Sequence, residues 1–337
     1  MNWVCLEDRA PLAETGAGNL RCASCGSEHA VVDGIPLFAR GESERAATRS
    51  SSPALVELWG ALQRASADEV GAALCADRRC SRSSRSADWR FFLGLSQGGT
   101  VLELGAGFGD DSRDLAGPSG RTIPIVPNLD NARVVRRRLD ESAGTAAAVA
   151  VLPDVSRLPL PDGSLQAIAL EDAAAAGFGL TDARLPAAAA EWKRVLAPGG
   201  TVFVGLGNPL RRLPVLDGLW GRLRSRPRHE SLNRQVKRWA GPGRRGGLGV
   251  ERTIRTMTRL GFPRPLMYAP LPDENDASAV VPLEDARVVR YFLDHLVRQN
   301  SSWVRLGRRG AHGLVDVGLF RRLVPYYYLI FRGGARP

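Results

Sequence analysis

The stretch from Val101 to Ala116, VLELGAGFGDDSRDLA, constrains this chain more than any other. Val101, Leu102 and Leu104 make an apolar run broken by one acid, Glu103, which reads as a buried strand. Glycines follow at alternate positions, Gly105, Gly107 and Gly109, and DDSRDLA then reads as the opening of a helix. A strand, a glycine-rich turn and a helix form a nucleotide-type binding element. Residues without side chains permit a tight turn and close approach of a ligand to the backbone. The E-x-G-x-G-x-G spacing differs from the dinucleotide pattern G-x-G-x-x-G.

The surrounding chain suits such an element. Its 337 residues accommodate one α/β domain of about 200 residues plus smaller attachments. Apolar content of 44% and charged content of 24% are those of an ordinary globular protein. No run of roughly 18 apolar residues is present, so no membrane span is predicted. MNWVCLEDRAPL lacks the basic region and apolar core of a secretory signal, which makes the cytoplasm the expected location. The net charge of +11 comes almost wholly from arginine. A basic face attracts nucleic acid, an anionic membrane surface or a phosphorylated substrate. The bias also fits a GC-rich coding sequence, and that reading is preferred because the excess is spread over several segments. The densest part runs from Arg211 to Arg245.

Downstream, GRTIPIVPNLDNARVVRRRLD reads as a second strand and helix, and AVAVLPDVSRLPLPDGSLQAIALED as two further strands around a turn. LPAAAAEWKRVLAPGGTVFVGLGNP reads as helix, turn and strand, with Pro198-Gly199-Gly200 breaking the helix. In this order and spacing, these segments resemble the class I S-adenosylmethionine-dependent methyltransferases over residues 97–207. The resemblance implies a Rossmann-like, seven-stranded α/β sheet. It places the cofactor against Glu103, Gly105, Ala106, Gly107, Gly109, Asn128, Asp154, Val155 and Glu171. Asp154 matches the acid that hydrogen-bonds the adenine amino group, and Glu171 falls where a carboxylate pairs with the ammonium of the methionine end. Two positions depart from the pattern. Pro127 stands where an acid normally grips the ribose, leaving Asn128 or water to do so, with Asp130 read as a helix N-cap. Gln166 stands where Asp is usual.

The first 40 residues carry a separate signal. Cys22-x-x-Cys25-Gly26 has the form of a zinc knuckle, in which two thiolates face one metal at about 2.3 Å. Cys5 supplies a third ligand, and Asp8 occupies the place of the thiol in a second C-x-x-C. His29 is a rival fourth ligand. The stretch through VVDGIPLF resembles the small zinc-ribbon module fused in front of methyltransferase domains, which implies a structural zinc ion. A serine- and arginine-rich linker with one helix beginning at Pro53 spans residues 41–87, and its Cys75 and Cys80 read as ordinary thiols. ADWRFFLGLSQ is predicted as a helix leading into the motif strand. The methyltransferase domain then occupies residues 88–337.

Two insertions interrupt that domain. Residues 208–250 are basic, with Leu213, Val215, Leu216, Leu219 and Trp220 among arginines. A lid over the substrate site is preferred there to an interfacial helix or an RNA contact. Its His229 and Glu230 are weak candidates for proton abstraction. VERTIRTMTRLGFPRPLMYAPLP reads as helix, Gly261-Phe262 turn and strand, and DENDASAVVPLED as a polar loop. A helical insertion over residues 273–322 precedes RRLVPYYYLIFRG, read as a final antiparallel strand. EDAAAAGFG lacks the N/D-P-P-Y tetrad of amino-methylating nucleic-acid enzymes. A small-molecule or sugar-containing acceptor, suited if anionic to the arginines, is therefore preferred to RNA. A non-catalytic partner protein is the third reading, prompted by Pro127.

Overall fold

The computed structural model describes residues 1–39, 88–95, 98–107, 109–141, 146–208, 248–271, 279–296 and 310–333. The amino-terminal module pairs three short antiparallel strands, β1 (Leu12–Glu14), β2 (Leu20–Cys22) and β3 (Glu28–His29), in that order. A hairpin follows, of β4 (Val31–Val32) and β5 (Ile35–Pro36), turning at Asp33 and Gly34, both with positive φ.

The apolar runs read as strands assemble into one mixed sheet. Its members are β6 (Thr100–Leu104), β7 (Arg121–Val126), β8 (Ala146–Ala147), β9 (Ala150–Val151), β10 (Leu165–Glu171), β11 (Leu196–Gly207), β12 (Leu266–Leu271), β13 (Ala279–Pro282) and β14 (Tyr326–Arg332). The order is β13-β12-β14-β11-β10-β6-β7-β8, with β9 also on β7. Strands β6 to β11 pair in parallel, and β14 inserts antiparallel between β11 and β12. Burial on both faces explains why the parallel strands read as continuous apolar runs rather than alternating ones.

The helices are α1 (Asp110–Ser119), α2 (Leu129–Asp140), α3 (Asp172–Gly177), α4 (Leu185–Val195), α5 (Val250–Arg259), α6 (Ala286–Leu296) and α7 (Phe320–Leu323), with a further helical stretch at 310–316. Trp192 and Val195 of α4 are fully buried against the sheet.

Four expectations are corrected. Among the described residues the sheet has nine strands, not seven. The edge position beside β7 is split into β8 and β9, and β13 extends the far edge beyond β12. The supposed polar loop therefore contains a strand, whose Val281 is buried against the core. ADWRFFL forms a 3-10 helix over Asp88–Leu93, ended by Gly94 with φ of +61°. Its Trp89 stacks on Phe203 at 4.4 Å, so packing rather than helical propensity sets its course. Asn128, not Asp130, caps α2, its Oδ1 accepting from the Asn131 amide at 2.9 Å.

The amino-terminal module is fastened to the sheet edge. Leu37 bridges Val151 in parallel, and the Phe38 amide donates to the Val151 carbonyl at 2.8 Å. Trp3 and Phe38 join the main core, their rings 5.2 Å apart. At its base, Glu191 of α4 accepts from Arg194 Nη2 at 2.7 Å, the Leu158 amide at 3.0 Å and Arg9 Nη2 at 3.2 Å. Burial opposes the charge on Glu191, but these bonds and the attraction of Arg194 and Arg9 hold its carboxyl below the usual range.

Removing Glu191 by Glu191→Ala strips the Leu158 amide of its acceptor and leaves Arg194 with the exposed Asp162 as carboxylate partner. The expected loss is about 3 kcal/mol in urea unfolding near neutral pH. Arg9→Ala removes a guanidinium that is 58% exposed and should cost below about 1 kcal/mol. Because the carboxyl titrates lower in the folded protein, its contribution is present above the ordinary glutamate value of about 4.3 and is lost on acidification below it. The stability of the Glu191→Ala protein should therefore fall less steeply in that range, and equal losses for the two variants would contradict the assignment.

Candidate functional site

Parallel pairing of β6 with β7 and β10 brings the carboxyl ends of these strands to one edge. There the chain switches from building outward through β7 to building through β10, the place where open α/β sheets bind ligands. The glycine turn sits at this switch. Gly105, with φ of +78°, donates its amide to the Ile125 carbonyl at 2.7 Å. A Cβ at Gly105 would stand 2.3 Å from the Ala174 Cβ of α3. Gly107, with φ of +53°, has no atom within 4 Å of such a Cβ, so it faces open space. Gly109 sits at the N-cap of α1 in a left-handed conformation.

Glu103 is buried on β6, and Ser112 of α1 donates its hydroxyl to the Glu103 carboxylate. The acid thus ties strand to helix across the turn. Ala106 and Val155 are buried in core clusters, so their backbones rather than their side chains are available to a ligand. Pro127 follows β7, and the side-chain oxygen of Asn128 is committed to the cap of α2, leaving its amide nitrogen as the donor. Asp154 follows β9, its Oδ1 accepting from the Ser156 amide at 2.9 Å and from Arg184 Nη2 at 2.8 Å. Partial burial opposes its charge, yet the Ser156 donors and Arg184 hold its carboxyl below the ordinary range. Glu171 ends β10 in extended conformation, one residue beyond the Leu170–Leu104 pairing that sets it beside the turn. The turn, Asn128, Asp154 and Glu171 therefore share one edge.

A second site lies in the amino-terminal module. The ligand atoms of Cys5, Asp8, Cys22 and Cys25 all fall within 4.8 Å of one another. Cys5 Sγ and Cys25 Sγ are 3.5 Å apart, and Cys22 Sγ is 3.4 Å from both Asp8 oxygens. A tetrahedral zinc site with bonds of about 2.0–2.3 Å has ligand–ligand edges of about 3.3–3.8 Å. The tight turn closed by the Gly26 amide on the Cys22 carbonyl at 3.0 Å brings the two knuckle thiols together. Burial pushes the Cys5 thiol up to about 11. The Ser27 hydroxyl lowers Cys25, and the Ala10 amide holds Asp8 far below the ordinary carboxylate range. His29 is not in this group, which corrects it as a rival ligand. Its ring is buried 5.1 Å from that of Phe38.

Sequence reasoning missed Ser112 and Arg184, whose roles depend on distant partners and carry no local signature. His229 and Glu230, Cys75 and Cys80, the helix beginning at Pro53 and nearly all of the basic insertion lie outside the described residues.

The family model described as a methyltransferase domain matches residues 102–204. That match supports an enzyme with a methyltransferase domain over these residues. No curated protein matches the chain. Among solved structures, the chain is similar to the geranyl diphosphate C-methyltransferase of Streptomyces coelicolor A3(2), at 13% identity and TM-score 0.42, over 75% of this chain and 77% of that one. It is similar to the cyclopropane synthase MmaA2 of Mycobacterium tuberculosis, at 17% identity and TM-score 0.42, over 74% and 82%. It is also similar to phosphoethanolamine N-methyltransferase 2 of Haemonchus contortus, solved with S-adenosyl-L-methionine, at 14% identity and TM-score 0.43, over 74% and 51%. The chain spans about half the length of that last protein. Among the described residues, no helix is long and apolar enough to cross a membrane.

The two glycines differ in what they exclude. Gly105→Ala forces a left-handed alanine against the α3 backbone and should cost about 3 kcal/mol. Gly107→Ala bears only the backbone strain and should cost about 1 kcal/mol. Urea unfolding of both variants checks the difference, and equal costs would mean that the turn is packed differently.

Proposed function

We propose that this protein transfers a methyl group from S-adenosylmethionine to a small-molecule or sugar-containing acceptor, and that its amino-terminal module holds a structural zinc ion. The cofactor supplies an electrophilic sulfonium methyl, which the acceptor's nucleophile displaces in line. The observation that carries the reading is the left-handed glycine turn at the switch point, with Gly107 facing open space at the sheet edge where Asn128 and Glu171 begin the next helices.

In this reading the residues divide the cofactor among them. The backbone at Gly105, Ala106 and Gly107 lies along it without side chains intruding. Asp154 accepts from the adenine amino group, with the Val155 backbone alongside, and the Asn128 amide nitrogen donates to a ribose hydroxyl. The Glu171 carboxylate balances the ammonium charge. Holding donor and acceptor in register is the main source of acceleration for such a displacement. A small acceptor is favoured because EDAAAAG provides no N/D-P-P-Y tetrad and instead forms α3, whose Ala174 supports the glycine turn. Pro127 favours a second reading, a methyltransferase-like partner that does not bind the cofactor, because no carboxylate grips the ribose at that position.

Titration calorimetry decides between the two readings. S-adenosylmethionine and S-adenosylhomocysteine should both bind, and no heat at millimolar cofactor would overturn the enzyme reading. Gly107→Arg should abolish binding while the protein stays folded, since the added side chain fills the ligand's space. Unchanged affinity would show that the site lies elsewhere.

For the module, Cys5, Asp8, Cys22 and Cys25 would complete a closed four-ligand site without an open position for chemistry. Elemental analysis should find about one zinc per chain, reduced in Asp8→Ala and lost with Cys22→Ser. A metal-free wild-type protein would remove this part of the proposal.

A further inference from the structure

Arg184, the residue before α4, stands between the loop after β9 and the bend where the chain leaves α3. One nitrogen, Nη2, lies 2.8 Å from Asp154 Oδ1 in the loop after β9. The other, Nη1, donates to the Phe178 carbonyl at 3.2 Å and the Gly179 carbonyl at 3.3 Å, where the chain leaves α3. Phe178 is buried, and its ring edge lies 3.5 Å from where a Gly105 Cβ would stand. A single guanidinium therefore connects the adenine-side carboxylate to the support of the glycine turn.

We propose that Arg184 is a positioning residue for the cofactor, holding Asp154 in place and coupling the adenine end of the cleft to the glycine turn through the Phe178–Gly179 bend. The inference rests on the cofactor reading above. Its geometry requires an arginine. The planar fork reaches a carboxylate with one arm and two carbonyls with the other, which a lysine ammonium cannot span. The Ser156 amide and Arg184 both meet Oδ1, which fixes the direction in which the carboxylate faces. The exposed side of the pair limits its strength, so the effect sought is moderate: Asp154 is 57% and Arg184 42% exposed.

Calorimetry with S-adenosylhomocysteine tests this on wild type, Arg184→Ala, Arg184→Lys, Asp154→Asn and the Arg184→Ala/Asp154→Asn double variant, each with its thermal midpoint. The expected result is binding weakened about fivefold by Arg184→Ala with little change in midpoint, and Arg184→Lys weakened to a similar degree. The double variant should bind about as well as Asp154→Asn alone, because the arginine acts through that carboxylate. A merely structural arginine would change the midpoint and not produce this non-additivity. Wild-type affinity in Arg184→Ala, tighter binding, or fully additive losses would each overturn the inference while leaving the cofactor reading intact. If Arg184→Ala fails to fold, the Arg184→Lys affinity decides, and wild-type affinity there overturns the inference. Absence of binding by the wild-type protein would overturn both.

Discussion

The fit of α3 against the glycine turn is the contact on which the end of β6 depends. Parallel pairing of β6 with β10 places the end of one strand beside the start of the helix that follows the other. Ala174 then comes so close to the Gly105 backbone that a hydrogen is the only substituent with room. The same closeness lets Phe178 pack under the turn, and the Gly105 amide spans to β7 through the Ile125 carbonyl. Three strands and a helix are thus fixed about one backbone position. Gly107, two residues on, is left open by that arrangement. The turn is rigid where it meets the protein and unobstructed where a ligand would approach.

The second constraint is the sheet edge at β9. A short parallel strand ending a sheet exposes unpaired backbone groups, and proteins usually cover or interrupt such edges. Here the amino-terminal module does so, with Leu37 and Phe38 running alongside Val151. Apolar packing of Ile35 and Leu37 with Val126, Ala132 and Val135 continues the core across the junction. Glu191 supplies the polar counterpart, joining Arg9 of the module to Arg194 of α4 and to the Leu158 amide. The module therefore stands on the strand that leads to Asp154. Order in the module and order in the loop that carries Asp154 share the same backbone.

Charge is distributed locally in spite of the strong basic excess. Arg133 pairs with Asp33, Arg157 with Glu7, and Arg290 with Asp316 on the helical stretch before β14. Asp294 pairs with His312 at 3.1 Å rather than with its sequence neighbour His295. Side chains four apart on α6 thus meet side chains four apart on the 310–316 stretch, the spacing that places residues on one helix face. Adjacency in sequence was a poor guide to partnership, because helical neighbours lie one turn away.

The sequence alone determined the elements whose signals are local. VLEL, three alternate glycines and DDSRDLA specified strand, turn and helix, and the continuous apolar runs specified most of the sheet. Cys5, Asp8, Cys22 and Cys25 were legible as one group because the C-x-x-D and C-x-x-C turns each need only a short spacing, and their ligand atoms do lie within 4.8 Å of one another. Only the tertiary structure decided how distant segments met. It made a strand of AVVP because β12 offered an edge, and a 3-10 helix of DWRFFL because Trp89 had Phe203 to stack on. It set the His29 ring beside Phe38, outside the group formed by Cys5, Asp8, Cys22 and Cys25, and gave the α2 cap to Asn128 rather than Asp130. It also placed Arg184 against Asp154, a contact spanning residues with no shared motif. Hydrophobic period and turn chemistry are properties of neighbours in the chain. Side-chain partnership between distant segments is set by strand order, which no local pattern encodes.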